Sequence, residues 1–209
     1  MDSHWKPSKT TFRHFDLFNF FTDGEVEALI DCSMLKHYRR GHLICKQGET
    51  NKWIYFIISG ALMYTRNVRD DSLDAEPHDV IIQLFGQGEA IGDATVFSEV
   101  PYRGNVRAAK DSALLAVDRV TLAKLSQTNC DALICLYTRT ASKMFKIVEG
   151  VDVAYGKLLK RIDSLAQECA NVGVDLYSHF SKTQIARLLG LSRVAVTNSM
   201  NGNKHIEKP

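Results

Sequence analysis

Residues 180–200 read FSKTQIARLLGLSRVAVTNSM. Ser181, followed three residues later by Gln184, has the form of a capping box: hydroxyl and amide would each satisfy an orphan backbone N–H at a helix start. Ile185, Leu188 and Leu189 then share one helical face. Gly190 suits the left-handed position that ends a helix, and Ser192 is placed to cap a second one. In that second helix the apolar Val194 and Val196 leave Arg193, Thr197 and Asn198 to point elsewhere. Small Ala186 marks the point where two helices touch, and Val196 closes the pair. Two short helices on a tight, glycine-containing turn make a helix-turn-helix, with an ordinary helical hairpin as the alternative.

Charge supports the first reading. From Ser181 onward Lys182, Arg187, Arg193, Lys204 and Lys208 stand against Glu207 alone, a net +4 in a chain whose total is +2. A basic terminal module on a mildly acidic body fits a DNA reader joined to a separate sensing part. The 209 residues suffice for one or two domains with real cores. The five cysteines, Cys32, Cys45, Cys130, Cys135 and Cys169, match no zinc or iron–sulfur spacing. An odd count without a signal peptide predicts free thiols in a reducing, cytoplasmic setting. The most apolar segment, FIISGALMY, has strand length and cannot span a bilayer, so no membrane partner is expected.

Upstream, the first dozen residues are polar and predict a loose lead-in, after which Asp23 is read as the cap of a helix running to Ile30. From Leu35 to Val117 short β runs (HLICK, WIYFIIS, ALMYTR, DVIIQLF, VRAA, ALLAV) alternate with glycines, as in a barrel or jelly roll. Arg69–His78, charged and containing Pro77, reads as a hairpin tip. A short helix is predicted around Thr121–Leu125 and a long one from Asp131. In the long one Leu133, Tyr137, Thr140, Met144, Ile147, Val151, Ala154 and Leu158 alternate at spacings of four and three. That is a heptad seam, flanked by the edge charges Lys146 and Glu149, and it predicts a coiled-coil homodimer. Gly150 and Gly156 mark a soft place in it, and a further helix is predicted from Lys157 to Val172.

The order of β-roll, long helix and helix-turn-helix, together with several motifs, resembles the CRP/FNR family of transcription regulators. The motifs are Gly41-x-x-Ile44-x-x-Gln47-Gly48-Glu49, Ile54-Tyr55-Phe56-Ile57-x-x-Gly60, Gly88-x-x-Ile91-Gly92-Asp93, and Phe97, Arg103 and Val106-Arg107-Ala108. Ser192-Arg193 with Val196 completes the set, so the similarity runs from about Phe18 to Met200.

The resemblance implies an α+β chain: a double-stranded β-helix (jelly-roll) sensor over residues 18–128, a dimerisation helix over 129–156, and a helix-turn-helix domain over 157–209. Only nine residues follow Met200, too few for the β-hairpin wing of the family, so the wing is expected to be missing. The family's cyclic phosphate binds backbone N–H groups at a short helix, opposite an arginine. The matching candidate effector residues are Gly92, Asp93, Arg103 and Gly104. Three departures count against cyclic AMP: Asp93 is one methylene short of the ribose-binding glutamate, Gly104 lacks the usual hydroxyl, and Phe145–Val148 offers none to a purine. No N-terminal cysteine cluster implies iron–sulfur chemistry, and His42, Cys45 and His78 are lone residues rather than a haem set. For DNA the resemblance implies contacts from Lys182, Thr183, Arg187, Ser192, Arg193, Val194, Thr197 and Asn198. Arg193 takes the place of the arginine that reads a guanine. RNA polymerase and a small anionic effector complete the implied partners. A metal-dependent cupin enzyme would need two histidines and a carboxylate on neighbouring strands. His37, His42 and His78 are scattered, so no enzyme and no metal are expected.

Overall fold

A computed structural model describes residues 6–50, 52–68, 78–154, 158–189 and 191–202, with side chains given except at 67–68, 78, 80, 147–154, 158–159 and 201–202. Helices α1 (Lys9–Arg13) and α2 (Asp23–Asp31), with a 3₁₀ turn Asp16–Phe20 between them, lead into eight strands. These are β1 (Ser33–Tyr38), β2 (Leu43–Cys45), β3 (Trp53–Ser59), β4 (Leu62–Val68), β5 (His78–Phe85), β6 (Ala90–Ile91), β7 (Asn105–Ala108) and β8 (Ser112–Asp118). Six described helices follow, the first five being α3 (Arg119–Gln127), α4 (Cys130–Ala154), α5 (Leu158–Asn171), α6 (Leu176–His179) and α7 (Lys182–Leu188). The last, α8, spans Arg193–Gly202.

The strands form two antiparallel four-stranded sheets, ordered β1-β8-β3-β6 and β2-β7-β4-β5. Period-two alternation explains why β3 and β8 are apolar almost throughout. Tyr55 and Ile57 of β3, opposite Ala116 and Leu114 of β8, face the space between the sheets. Ile54 and Phe56, opposite Val117 and Leu115, face outward onto a helical layer. Strands covered on both faces lose the apolar–polar alternation of a half-exposed sheet.

That outer layer joins the N-terminal helices to α3 and the start of α4. Phe12, Leu17 and Phe18 are fully buried in it, with Phe18 and Phe56 ring centroids 4.8 Å apart. The expected loose lead-in is therefore a packed element from Ser8 onward: Ser8 and Thr11 form a capping box on α1, and Phe12 anchors it. Sequence reading missed this because Trp5 and Phe12 are too few aromatics in a polar stretch to make a periodic pattern. Capping also differs at two other places. Thr22, not Asp23, caps α2, with Glu25 completing the box, and Asn129 caps α4 through the Ala132 N–H, so that α4 starts at Cys130, one residue before the predicted Asp131. β1 begins at Ser33, two residues before the expected start of the β region at Leu35.

The second sheet carries the C-terminal helices on its outer face. Ala61, Leu84 and Ala109 of the roll share a core with Ile162, Leu165 and Cys169 of α5 and with Ile185, Ala186 and Val196. The Arg40 guanidinium donates to the His179 carbonyl, and Lys110 donates to Gly173 O at 3.3 Å, so the terminal module is tied to the roll. Residues 155–157 lie outside the described residues, and with them Gly156, as do Gly190 and residues 69–77 of the expected hairpin tip. All five cysteines are free. Burial pushes the Cys45 thiol up to about 11 and the Cys169 thiol to about 12, so both pack as neutral side chains.

Phe12→Ala should cost about 3–5 kcal/mol of stability, read as a lower midpoint in denaturant. An unchanged midpoint would return the N-terminus to the status of a loose leader.

Candidate effector cassette and nucleic-acid interface

The cassette begins where β6 ends. Gly92 has φ +88°, a left-handed conformation that a side chain would strain, and the 3₁₀ turn Asp93–Thr95 follows. Thr95 seals the turn by donating both N–H and hydroxyl to Gly92 O, at 3.0 and 2.9 Å. Asp93 does not face open space. Its side chain is 3% exposed, and both carboxylate oxygens lie 2.6 Å from the Lys143 ammonium on α4. Lys143 also donates to Ala90 O at 2.6 Å and lies 5.7 Å from the Phe85 ring centroid. Burial pulls the Lys143 pKa down, and Asp93 opposes the shift.

Two more cations of α4 flank this pair. Arg139 donates to Gly88 O at 2.9 Å. Lys146 pairs with Glu89 at 3.2 Å, while the other Glu89 oxygen accepts the Gly86 N–H at 2.7 Å. Arg139, Lys143 and Lys146 are spaced four and three apart, one face of a helix. Lys146, read from sequence as an edge charge of the seam, belongs to this clamp instead. The same spacing in the sequence would have found Arg139 and Lys143.

The other half of the cassette is also distinct. Arg103 is exposed near Tyr64, and no ion pair among the described residues joins it to Asp93. Gly104 is pressed against β4: a β-carbon there would lie 2.3 Å from Thr65 O and 3.0 Å from the Tyr64 ring. The missing hydroxyl is thus a steric requirement of the packing. Among the described residues no group of three or more His, Cys, Asp or Glu side chains is arranged to hold a metal ion.

The face of α4 opposite the clamp carries the predicted seam. Tyr137 and Met144 are 76% and 60% exposed, while Leu133 and Thr140 are half-buried. Ile134 and Phe145, which the heptad reading left out, widen the exposed apolar stripe. The side chains of Ile147, Val151 and Ala154 lie outside those described, and so does that of Leu158.

At the far end, the capping box is present as read: the Gln184 N–H donates to Ser181 Oγ at 3.3 Å and the Ser181 N–H to Gln184 Oε1 at 2.8 Å. Leu191 N–H donates to Ala186 O at 2.8 Å and closes the turn. Ser192 Oγ accepts the Ala195 N–H at 3.2 Å. Val196 is fully buried, but Val194 is 67% exposed, so of the two valines Val196 is the one that packs between the helices. Arg193, Val194 and Asn198 therefore form one exposed face with half-buried Thr197, whose hydroxyl donates to Arg193 O at 2.8 Å. Lys182 and Arg187 of α7 are exposed and Thr183 half-buried. The residues where a wing would follow, from 203 on, lie outside the described ones.

Residues 35–129 match the cyclic nucleotide-binding domain family. A crystal structure of a putative transcriptional regulator of the CRP/FNR family from Eubacterium rectale superposes with a TM-score of 0.76 at 15% identity, covering 92% of this chain and 88% of that one. The c-di-GMP responsive global regulator CLP of Xanthomonas campestris gives a TM-score of 0.67 at 19% identity, covering 88% and 92%. The chain has the CRP/FNR-type fold. Among curated proteins, lysophospholipase NTE1 of Pyricularia oryzae is 27% identical over 117 residues, 56% of this chain but only 7% of that enzyme. No helix among the described residues is long and apolar enough to cross a membrane.

Gly104→Ser restores the hydroxyl of the family pattern but overpacks β4. It should lower stability by about 1–3 kcal/mol in chemical denaturation and confer no cyclic AMP affinity. Tight cyclic AMP binding by a stable variant would show that the site is otherwise complete.

Proposed function

We propose that this chain is a homodimeric, sequence-specific DNA-binding transcription regulator and not an enzyme. The observation that carries the reading is the start of α8. A capped helix presents Arg193, Val194 and Asn198 to solvent while Val196 holds it against α7. In a helix-turn-helix the N-terminal residues of the second helix reach base edges in the major groove. Arg193 would make a bidentate contact to a guanine, Val194 would meet a thymine methyl, and Asn198 and Thr197 would take flanking positions. Lys182 and Arg187 would meet phosphates, with Thr183 and Ser192 at the backbone margin.

The apolar stripe on α4 supplies the dimer contact. Ile134, Tyr137, Met144 and Phe145 are large apolar side chains left exposed on one helix face, as expected where a second copy packs. Two recognition helices related by a two-fold axis would read half-sites about 34 Å apart. The phospholipase relatives share the roll, so a ligand-binding module that does not read DNA is the competing reading. The helices α5–α8, which pack on the second sheet through a shared core and end in a helix capped by Ser192, favour the regulator. RNA polymerase is the partner such a regulator would address.

Arg193→Ala should remove about 1–3 kcal/mol of discrimination at one base pair of each half-site, measured by mobility shift on single-base operator variants. Unchanged affinity and base preference would show that Arg193 does not read the bases. Met144→Lys puts a charge near its own symmetry mate in the stripe and should sediment as a monomer with the roll still folded. A dimer of wild-type affinity would place the interface elsewhere.

A further inference from the structure

The Lys143 ammonium is saturated. A lysine has three N–H donors, and Ala90 O, Asp93 Oδ1 and Asp93 Oδ2 all lie 2.6 Å from Nζ. The carboxylate is equally engaged, because Asp93 Oδ1 also accepts the Ala94 N–H at 3.1 Å. Side-chain exposures of 15% for Lys143 and 3% for Asp93 place the pair away from water. A ribose hydroxyl approaching Asp93 would have to displace a bonded ammonium from a desolvated carboxylate, leaving both charges poorly compensated. One helical turn to either side, Arg139 holds Gly88 O and Lys146 holds Glu89. All three grips join α4 to the segment that leads from β5 into the cassette.

We propose that Lys143 is a built-in ligand of the cassette. It makes in cis the contact between cassette and dimer helix that a bound effector would otherwise make. The roll and α4 are thereby locked together without a small molecule, and the apolar stripe on the opposite face stays presented to a second copy. This rests on the reading of α4 as the dimer helix. It replaces effector control at the cassette with constitutive assembly.

The test compares wild type without nucleotide, wild type with millimolar cyclic AMP, and the double variant Lys143→Met/Asp93→Asn. The double variant leaves no buried charge unpaired, so the roll is expected to fold. Hydrogen exchange follows α4 and, as an internal control, β3 and β8, and sedimentation follows dimer dissociation. Wild type should protect the α4 amides over Cys130–Lys146 without nucleotide, and cyclic AMP should change neither readout. In the double variant the α4 amides should exchange about tenfold faster or more while β3 and β8 stay protected. Its dimer dissociation constant should rise by about tenfold. Equal α4 protection in variant and wild type would overturn the proposal, as would added α4 protection when cyclic AMP binds wild type. Exchange needs neither DNA nor a partner copy. A monomeric wild type would therefore sink the dimer reading while the α4 amides still judge the lock.

Discussion

One buried ion pair ties the middle of the long helix to the roll, while Ala132 and Leu136 hold its start in the outer core. Asp93 sits on a turn that only Gly92 permits, and Lys143 reaches it from α4. Such a pair contributes little net stability, because desolvating both charges offsets most of their attraction. Its effect is geometric. Removing one partner alone would strand a buried charge, at a cost of about 3–5 kcal/mol, so the two elements keep one relative position. Arg139 and Lys146 bond to backbone and carboxylate in the same segment and resist rotation about the pair. With that face of α4 fixed, the apolar face has one outlook, away from the roll.

The roll is suited to bear this load because both its sheets are covered. The first lies beneath the N-terminal helices and α3, and the second beneath α5 and the helix-turn-helix. Between the sheets the space is filled by Tyr55, Phe85, Val106 and Leu114, with Tyr102 packed at its margin. Burial pushes the Tyr55 and Tyr102 hydroxyls well above the usual phenol range, so they remain neutral. The terminal module shares a core with Ala61, Leu84 and Ala109, so Val196 of α8 is buried in the same cluster as the second sheet. Arg161 of α5 adds a bond to the Leu189 carbonyl at the turn of the motif.

Features governed by local chemistry were legible in the sequence. The Ser181–Gln184 capping box, the glycine-punctuated strands and the apolar face of α4 all follow from residue type and short spacing. Features set by contacts distant in sequence were less so. Phe12 is core because Phe18 meets it and Phe18 in turn packs on Phe56 of β3. Val194 has the apolarity of a packing residue, yet its position on α8 points it to solvent. Thr22 and Asp23 are both good caps, and only backbone geometry chooses between them. The cassette shows the limit most clearly. Asp93 in the sequence is a shortened ligand for ribose, whereas fifty residues on, Lys143 supplies its partner. Gly104 reads as a lost hydroxyl until Thr65 O is seen where a β-carbon would go.

The central claim is that this chain assembles into a two-fold DNA reader through a helix locked to the roll by its own side chains. Selection of random duplexes by the nucleotide-free protein, followed by sequencing, addresses it most directly. The account predicts one enriched pseudo-palindrome, with a guanine at the same place in each half-site and half-site centres about one helical turn apart. Enrichment of no motif, or of a single unrepeated half-site, would contradict it.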